Sequence, residues 1–251
     1  MADRNKHNLL ASVLAVALFA APVGGHAAES QPVPVDLELA FVVDASGSID
    51  EEETRLQRQG YAGALINPRI QAAISRGILR AIAVSYIEFA ADGCERLGVP
   101  WMRIANAAEA RDFGNRVLAQ PLMFCSGGNA IGDAIALAAM SIDRNGFEGT
   151  RRVIDVSGDG PNTTGELAVE FARDMAVAKA ITVNGLVIER PSMPELDLYY
   201  REAVTGGPGS FVIKAKDRQS FAKAILKKLI LEIAAPAAPP RRAAMARGAQ
   251  P

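Results

Sequence analysis

Short continuous apolar runs alternate with amphipathic stretches along most of this chain. The runs at residues 37–43, 78–89, 153–157 and 181–188 are bounded by turn signals and read as buried strands. Between them the apolar spacing changes to a helical period. Asp50 with Glu53 three residues later is a capping-box signature, and it opens a helix that continues to Ile66. Asn67-Pro68 interrupts that pattern ahead of a shorter helix over 69–75. Residues 96–104 return beside 78–89 as a hairpin strand through the turn-like Ala90-Ala91-Asp92-Gly93. Asn106 caps a helix to Leu118, and Ile131, Ile135, Ala138 and Ile142 mark one face of a helix over 130–144. Thr163 to Glu166 is a second capping-box pattern, opening a helix with Leu167, Phe171, Met175 and Ala178 on one face. A short helix over 196–204, an edge strand over 211–213 and a last helix complete the order. Asp217 caps that last helix, whose buried face carries Phe221, Ile225 and Leu229.

Strands that alternate with helices imply an α/β fold: a doubly wound, mostly parallel sheet with helices on both faces. The hairpin adds one antiparallel edge strand. The ends of the chain carry a different texture. Arg4 and Lys6 precede an apolar segment at 9–21, and Gly25-His26-Ala27 offers a small-residue cleavage signal. Residues 1–27 therefore read as a secretory signal peptide, with an uncleaved anchor as the alternative. Residues 28–34 read as a short leader, 35–233 as one domain, and 234–251 as a disordered Ala/Pro/Arg tail. The expected location is periplasmic or secreted.

Cleavage after Ala27 removes both histidines, His7 and His26, which excludes histidine-dependent catalysis and histidine metal sites in the mature chain. Loss of Asp3, Arg4 and Lys6 moves the formal charge from −1 to −2, too near neutral and too evenly spread for nucleic-acid binding. The two cysteines, Cys94 and Cys125, form an even count in an exported chain and read as one disulfide. It would close a loop of about 32 residues, worth roughly 3 to 4 kcal/mol in the chain-entropy model. Free buried thiols are the alternative.

The chemistry lies on two loops that leave strands. Asp44-Ala45-Ser46-Gly47-Ser48 places a carboxylate and two hydroxyls directly after the first strand. Ser157-Gly158-Asp159-Gly160 does the same after the strand at 153–157. Ligands of open α/β sheets bind at the carboxyl ends of strands, and all-oxygen donors suit a hard cation. Turns with local side-chain to backbone bonds are the plainer reading of Asp44, Ser48 and Asp159. Glu88 and Asp155 sit inside apolar strands and need partners, either the site itself or Arg80 and Arg152.

Val42-Val43-Asp44-Ala45-Ser46-Gly47-Ser48 resembles the Asp-x-Ser-x-Ser signature of the von Willebrand factor A domain. Ile154 to Gly160 looks like that family's strand ending in Asp-Gly, and Gly127 to Ala134 resembles its Gly-rich second loop. Where the family has Thr in that loop, this chain has Asn129. The resemblance spans about residues 35–233 and is closest to a bacterial exported family of uncharacterised function, through 154–162 and 205–212. It implies a metal-ion-dependent adhesion site built from Asp44, Ser46, Ser48, Asn129 and Asp159, holding Mg2+, or Mn2+ or Ca2+. An acidic residue of a protein partner would complete the metal shell. For Asn129 a helix N-cap is the competing role, and Asp133 reads as a supporting acid.

The expected function is thus an exported, metal-dependent protein-binding module, monomeric and not an enzyme. Two alternatives remain open. Asp44 stands where haloacid dehalogenases keep their nucleophile, which suggests magnesium-dependent phosphoryl transfer, but Ser46 replaces the second Asp that chemistry needs. Asn129 instead suggests a structural envelope protein with a degenerate metal site.

Overall fold

The structure, a computed structural model, describes residues 31–125 and 127–235. The expected signal peptide, and the tail from residue 236 onward, lie outside the described residues. In chain order the elements are β1 (Val33–Val35), β2 (Leu37–Asp44), α1 (Glu51–Leu65), α2 (Pro68–Ser75), β3 (Ile82–Phe89) and β4 (Arg96–Ile104). There follow α3 (Ala107–Leu118), α4 (Ile131–Asp143), β5 (Phe147–Gly149), β6 (Arg152–Gly158), α5 (Val169–Ala178) and β7 (Ile181–Ile188). The last are α6 (Leu196–Tyr199), which runs on as a π-turn over Tyr200–Val204, then β8 (Val212–Ala215) and α7 (Arg218–Ala234).

The main sheet has the order β4-β3-β2-β6-β7-β8, parallel throughout except for the antiparallel β3–β4 pair. From β2 the chain builds outward to β3 and β4, then crosses back to place β6 on the other flank. The strand order reverses between β2 and β6, and their carboxyl ends form the crevice where such sheets bind ligands.

All eight residues of β2 are buried, because helices cover both of its faces. On one face Leu37, Leu39 and Phe41 pack against Tyr61 and Leu65 of α1, Phe113 of α3 and Phe221, Ile225 and Leu229 of α7. The Phe41 and Tyr61 rings lie 4.7 Å apart. On the other face Ala40 and Val42 meet Ile131, Ile135 and Ala138 of α4 and Ala172 and Ala176 of α5. Each large apolar side chain so buried contributes about 1.5–3 kcal/mol, which fixes the register of β2. Asp50 does cap α1, with Glu53 closing the box, and Asp217 caps α7.

Two short strands lie outside the expected order: Val33–Val35 pairs in parallel with Phe147–Gly149, and both are too weakly patterned to signal themselves. Three expectations change. The second strand begins at Ile82, and residues 78–80 form an exposed loop. The edge strand lies at Val212–Ala215. The helix expected from Thr163 begins at Val169, with no side-chain cap. The amides of Glu166 and Leu167 instead donate to the Asp133 carboxylate, each at 2.8 Å, so a contact from α4 outcompetes the local capping box. Its buried face is Val169, Ala172 and Ala176, leaving Phe171 and Met175 exposed.

The carboxylates within the strands find partners other than Arg80 and Arg152. Glu88 takes Arg58 of α1 at 2.6 Å and Arg96 of β4 at 2.5 Å. Arg58 also donates to the carbonyls of Gln120 and Pro121, fixing the segment that leads to Cys125, which is bonded to Cys94. Asp155 lies 2.5 Å from Lys228 of α7, which is itself 2.6 Å from Glu232. Asn184 of β7 donates to Glu232 at 2.8 Å. Lys228, Asp155 and Glu232 are all buried, so α7 is held to β6 and β7 by a polar knot inside the core.

Burial pushes the Asp155 carboxyl up to about 7, with the Glu232 charge adding to the rise and Lys228 opposing it. A folded value above the unfolded one, about 3.9, means that this group's stabilisation is complete below that value. It is lost as pH rises through about 7. Thermal melts from pH 5 to pH 8 should therefore show falling stability with rising pH. Asp155→Asn should flatten that slope, and an unchanged slope would contradict the assignment.

Candidate metal centre

β2 ends at Asp44, in the crevice between the two halves of the sheet. The pairing of Val43 with Ser157 brings the loops after β2 and β6 side by side. Asp44 is 1% exposed and accepts from the amide of Ser46 at 2.8 Å and, more weakly, from that of Asp159 at 3.5 Å. The turn that follows directs Ser46 and Ser48 to one side, their hydroxyls 3.2 Å apart. Ser48 donates to Asp159 at 2.7 Å. Four of the five expected residues are thereby joined in one hydrogen-bonded cluster.

Asn129 comes from the second loop. A Cβ on Gly47 would stand 3.8 Å from the carbonyl of Gly127, so this loop abuts the first. A Cβ on Gly160 would stand 2.5 Å from the Asn129 amide nitrogen, so it abuts the third as well. Asn129 is buried and is not the cap of α4: Ala130 holds that position without a side-chain bond, and Asn162 bonds the Gly132 amide at 3.0 Å from across the site. Asn129 Oδ1 has no hydrogen-bond partner among the described residues. A buried amide oxygen left unsatisfied costs about 1–3 kcal/mol, so it implies a donor or cation beyond those the described residues supply.

Burial pushes the Asp44 carboxyl up to about 6, and the nearby Asp159 charge contributes, while bonds from Ser46 pull it back. This pocket is uncomfortable for bare negative charge. Two carboxylates, two hydroxyls and an orphaned amide oxygen are a hard, all-oxygen donor set, which fits a divalent cation of the magnesium, manganese or calcium type. With only two acids, among the described residues no cluster of three or more His, Cys, Asp or Glu is formed. The hydroxyl and amide oxygens must therefore share the work of any metal shell.

Several supporting residues were not apparent from the sequence. Tyr200 donates to the Gly160 carbonyl at 3.3 Å and Tyr199 accepts from the Asn162 amide at 3.1 Å, so the end of α6 and the start of the π-turn brace the third loop. Arg190 places a guanidinium nitrogen 3.5 Å from Asp159. Thr163 accepts from the Asn129 amide at 2.9 Å. Asp133, expected as a supporting acid, acts by holding residues 166 and 167. The long-range partners carry no local signature.

Gly158 carries a steric demand. An added Cβ would lie 2.6 Å from the Tyr200 hydroxyl and 2.9 Å from an Asp44 oxygen. Gly158→Ala should lower stability by about 1–3 kcal/mol in denaturant titrations, the usual scale of overpacking. Adding Tyr200→Phe should recover part of the loss, since one of the two obstructing atoms is then gone. Full stability in Gly158→Ala would show that the crevice is looser than described.

The chain is similar to several solved structures. Proximal thread matrix protein 1 from the mussel byssus matches at 11% identity and TM-score 0.57, over 81% of this chain and 48% of that one. A second structure of the mussel protein, with a zinc-occupied MIDAS motif, matches at 13% identity and TM-score 0.53, over 79% and 46%. The open conformation of the pilus adhesin SpaC from Lactobacillus rhamnosus GG matches at 14% identity and TM-score 0.56, over 82% and 31%. A von Willebrand factor type A protein from Catenulispora acidiphila matches at 14% and TM-score 0.51, over 79% and 43%. The chain thus spans less than half the length of each of these, and at such identities the likeness is one of fold. A search of curated proteins finds no match. A family model matches residues 34–237, and the chain belongs to that family, Protein of unknown function (DUF1194), on a von Willebrand factor A-like fold.

Proposed function

We propose that this domain is a divalent-metal-dependent protein-binding module that acts outside the cytoplasm and catalyses no reaction. Asp44, Ser46, Ser48, Asn129 and Asp159 would hold Mg2+, or Mn2+ or Ca2+ in its place. The observation that carries the reading is the unpartnered, buried Asn129 Oδ1 beside the cluster of Asp44, Ser46, Ser48 and Asp159. The bound metal supplies a positive centre for an acidic side chain of a partner protein. The chain's own residues position that centre: the Ser46 amide orients Asp44, and Ser48 holds Asp159 in place.

Two features favour binding over catalysis. The Asp44 oxygens already accept from backbone amides, which suits a fixed anchor better than a nucleophile. Phe124, five residues before Asn129 in the chain and one before the disulfide-held Cys125, is also 90% exposed. Aromatic anchors beside a polar centre are typical of protein interfaces. Finding a metal-occupied adhesion motif in a mussel protein of the same fold is consistent with this reading.

Calorimetric titration of magnesium or manganese into residues 31–251 should give binding at about millimolar or tighter. This span holds all of the described residues and leaves out the expected signal peptide, so it suits the measurement. Asp44→Ala should abolish the binding, and Asn129→Ala should weaken it by about tenfold or more, or about 1.4 kcal/mol. Arg190→Gln should tighten it by less than about tenfold, because a half-exposed cation next to Asp159 repels the metal only modestly. No heat with the unaltered chain, at any of these metals, would remove the metal-bridged mechanism.

A further inference from the structure

The opposite edge of the sheet has features of its own. The metal centre lies at the carboxyl ends of the parallel strands. Eight residues of β2 separate it from the amino ends by roughly 25 Å. There, between α2 and the end of α7, a groove of about 670 Å³ opens. Its floor is apolar, from Ala72, Ala73, Ile230 and Ile233, and its rim carries Arg69, Arg76 and Arg151. Ile78 stands at its mouth and is 90% exposed, a degree unusual for an isoleucine that packs nothing. Leu79 beside it is also exposed.

The charges lining this groove are mostly positive. Asp36 is the single acid lining the groove, and its carboxylate is engaged by the amides of Leu79 at 3.0 Å and Ala81 at 3.4 Å. Arg69, Arg76 and Arg80 form no ion pair among the described residues. Arg80 lies in the same exposed loop as Ile78, held at a positive φ of 53°. Positive φ is rare for a residue with a side chain. α7 delivers the chain to this groove at Ala234 and Ala235, and the sequence that continues from there carries Arg241, Arg242 and Arg247 with no acid.

An exposed apolar tip ringed by unpaired arginines matches one kind of surface. Acyl chains receive the isoleucine while lipid phosphates meet the guanidinium groups. We propose that this edge docks peripherally on an anionic phospholipid surface, with Ile78 inserted and Arg69, Arg76 and Arg80 as its counter-charges. Docking by the amino-end edge turns the metal centre away from the lipid and toward a partner. The proposal does not depend on the metal reading, since it uses none of the same residues.

Co-sedimentation of residues 31–251 with vesicles tests it. Vesicles containing phosphatidylglycerol should capture the chain, pure phosphatidylcholine vesicles should not, and capture should fall as salt is raised. Arg76→Gln with Arg80→Gln should weaken partitioning roughly fivefold per charge removed. Ile78→Ser should weaken it with no change in melting temperature, because that side chain packs against nothing. Ile78→Trp should bind at least as well and show a blue shift of indole emission only with the anionic vesicles. Equal capture on both lipids would overturn the proposal. So would capture that survives the three substitutions but is lost on deletion of 236–251, since the tail alone would then account for it. Displacement of the chain from vesicles by millimolar inorganic phosphate would reveal a small-anion site instead, and self-association at Ile78 without lipid would reveal a dimer face.

Discussion

Burying the Asp44 carboxylate at the end of the central strand carries a desolvation cost that amides, hydroxyls or a cation must offset. Asp44 is 1% exposed, and its position is fixed by β2, every residue of which is packed. The rest of the site can be read as a response to that constraint. Gly158 has no side chain because one would collide with Asp44 and Tyr200. The Ser46 amide turns back onto the carboxylate, and the turn that permits this aligns Ser46 with Ser48. Ser48 then reaches Asp159, and Asn129 closes the far side with an oxygen that none of the described residues satisfies.

Rigidity around this cluster comes from buried polar contacts as well as from hydrophobic packing. Glu88, with Arg58 and Arg96, joins α1, β3 and β4, and Arg58 reaches on to the carbonyls that precede the disulfide. Lys228, with Asp155 and Glu232, joins α7 to the other half of the sheet. Such buried ionic groups contribute little net stability compared with apolar replacements, but breaking one of them is costly. They fix which helix sits on which strand. Preorganisation of this kind is what a weak, oxygen-only cation site depends on.

The sequence made the doubly wound pattern legible because buried strands and amphipathic helices differ in period. The loops at Asp44 and Asp159 stood out because each sets a carboxylate among small polar residues directly after a buried apolar run. What remained hidden depended on distance in the chain. Thr163 to Glu166 looks like a helix start, yet Asp133 takes the amides that the helix would need. Asn129 looks like a cap, yet Asn162 serves the helix from 30 residues away. Tyr199, Tyr200 and Arg190 support the third loop from a segment with no motif at all. Glu88 and Asp155 were recognisable as needing partners, but Arg58 and Lys228 could be found only by folding the helices onto the sheet.

The central claim, that these five residues form a cation site, is tested most directly by crystals grown or soaked in manganese. The account predicts one anomalous-scattering peak within coordination distance of the Ser46 and Ser48 hydroxyls, flanked by Asp44, Asp159 and the Asn129 amide oxygen. It also predicts that no such peak forms in Asp44→Ala. A map without a peak there, with Asn129 instead bonded to an ordered water, would contradict it.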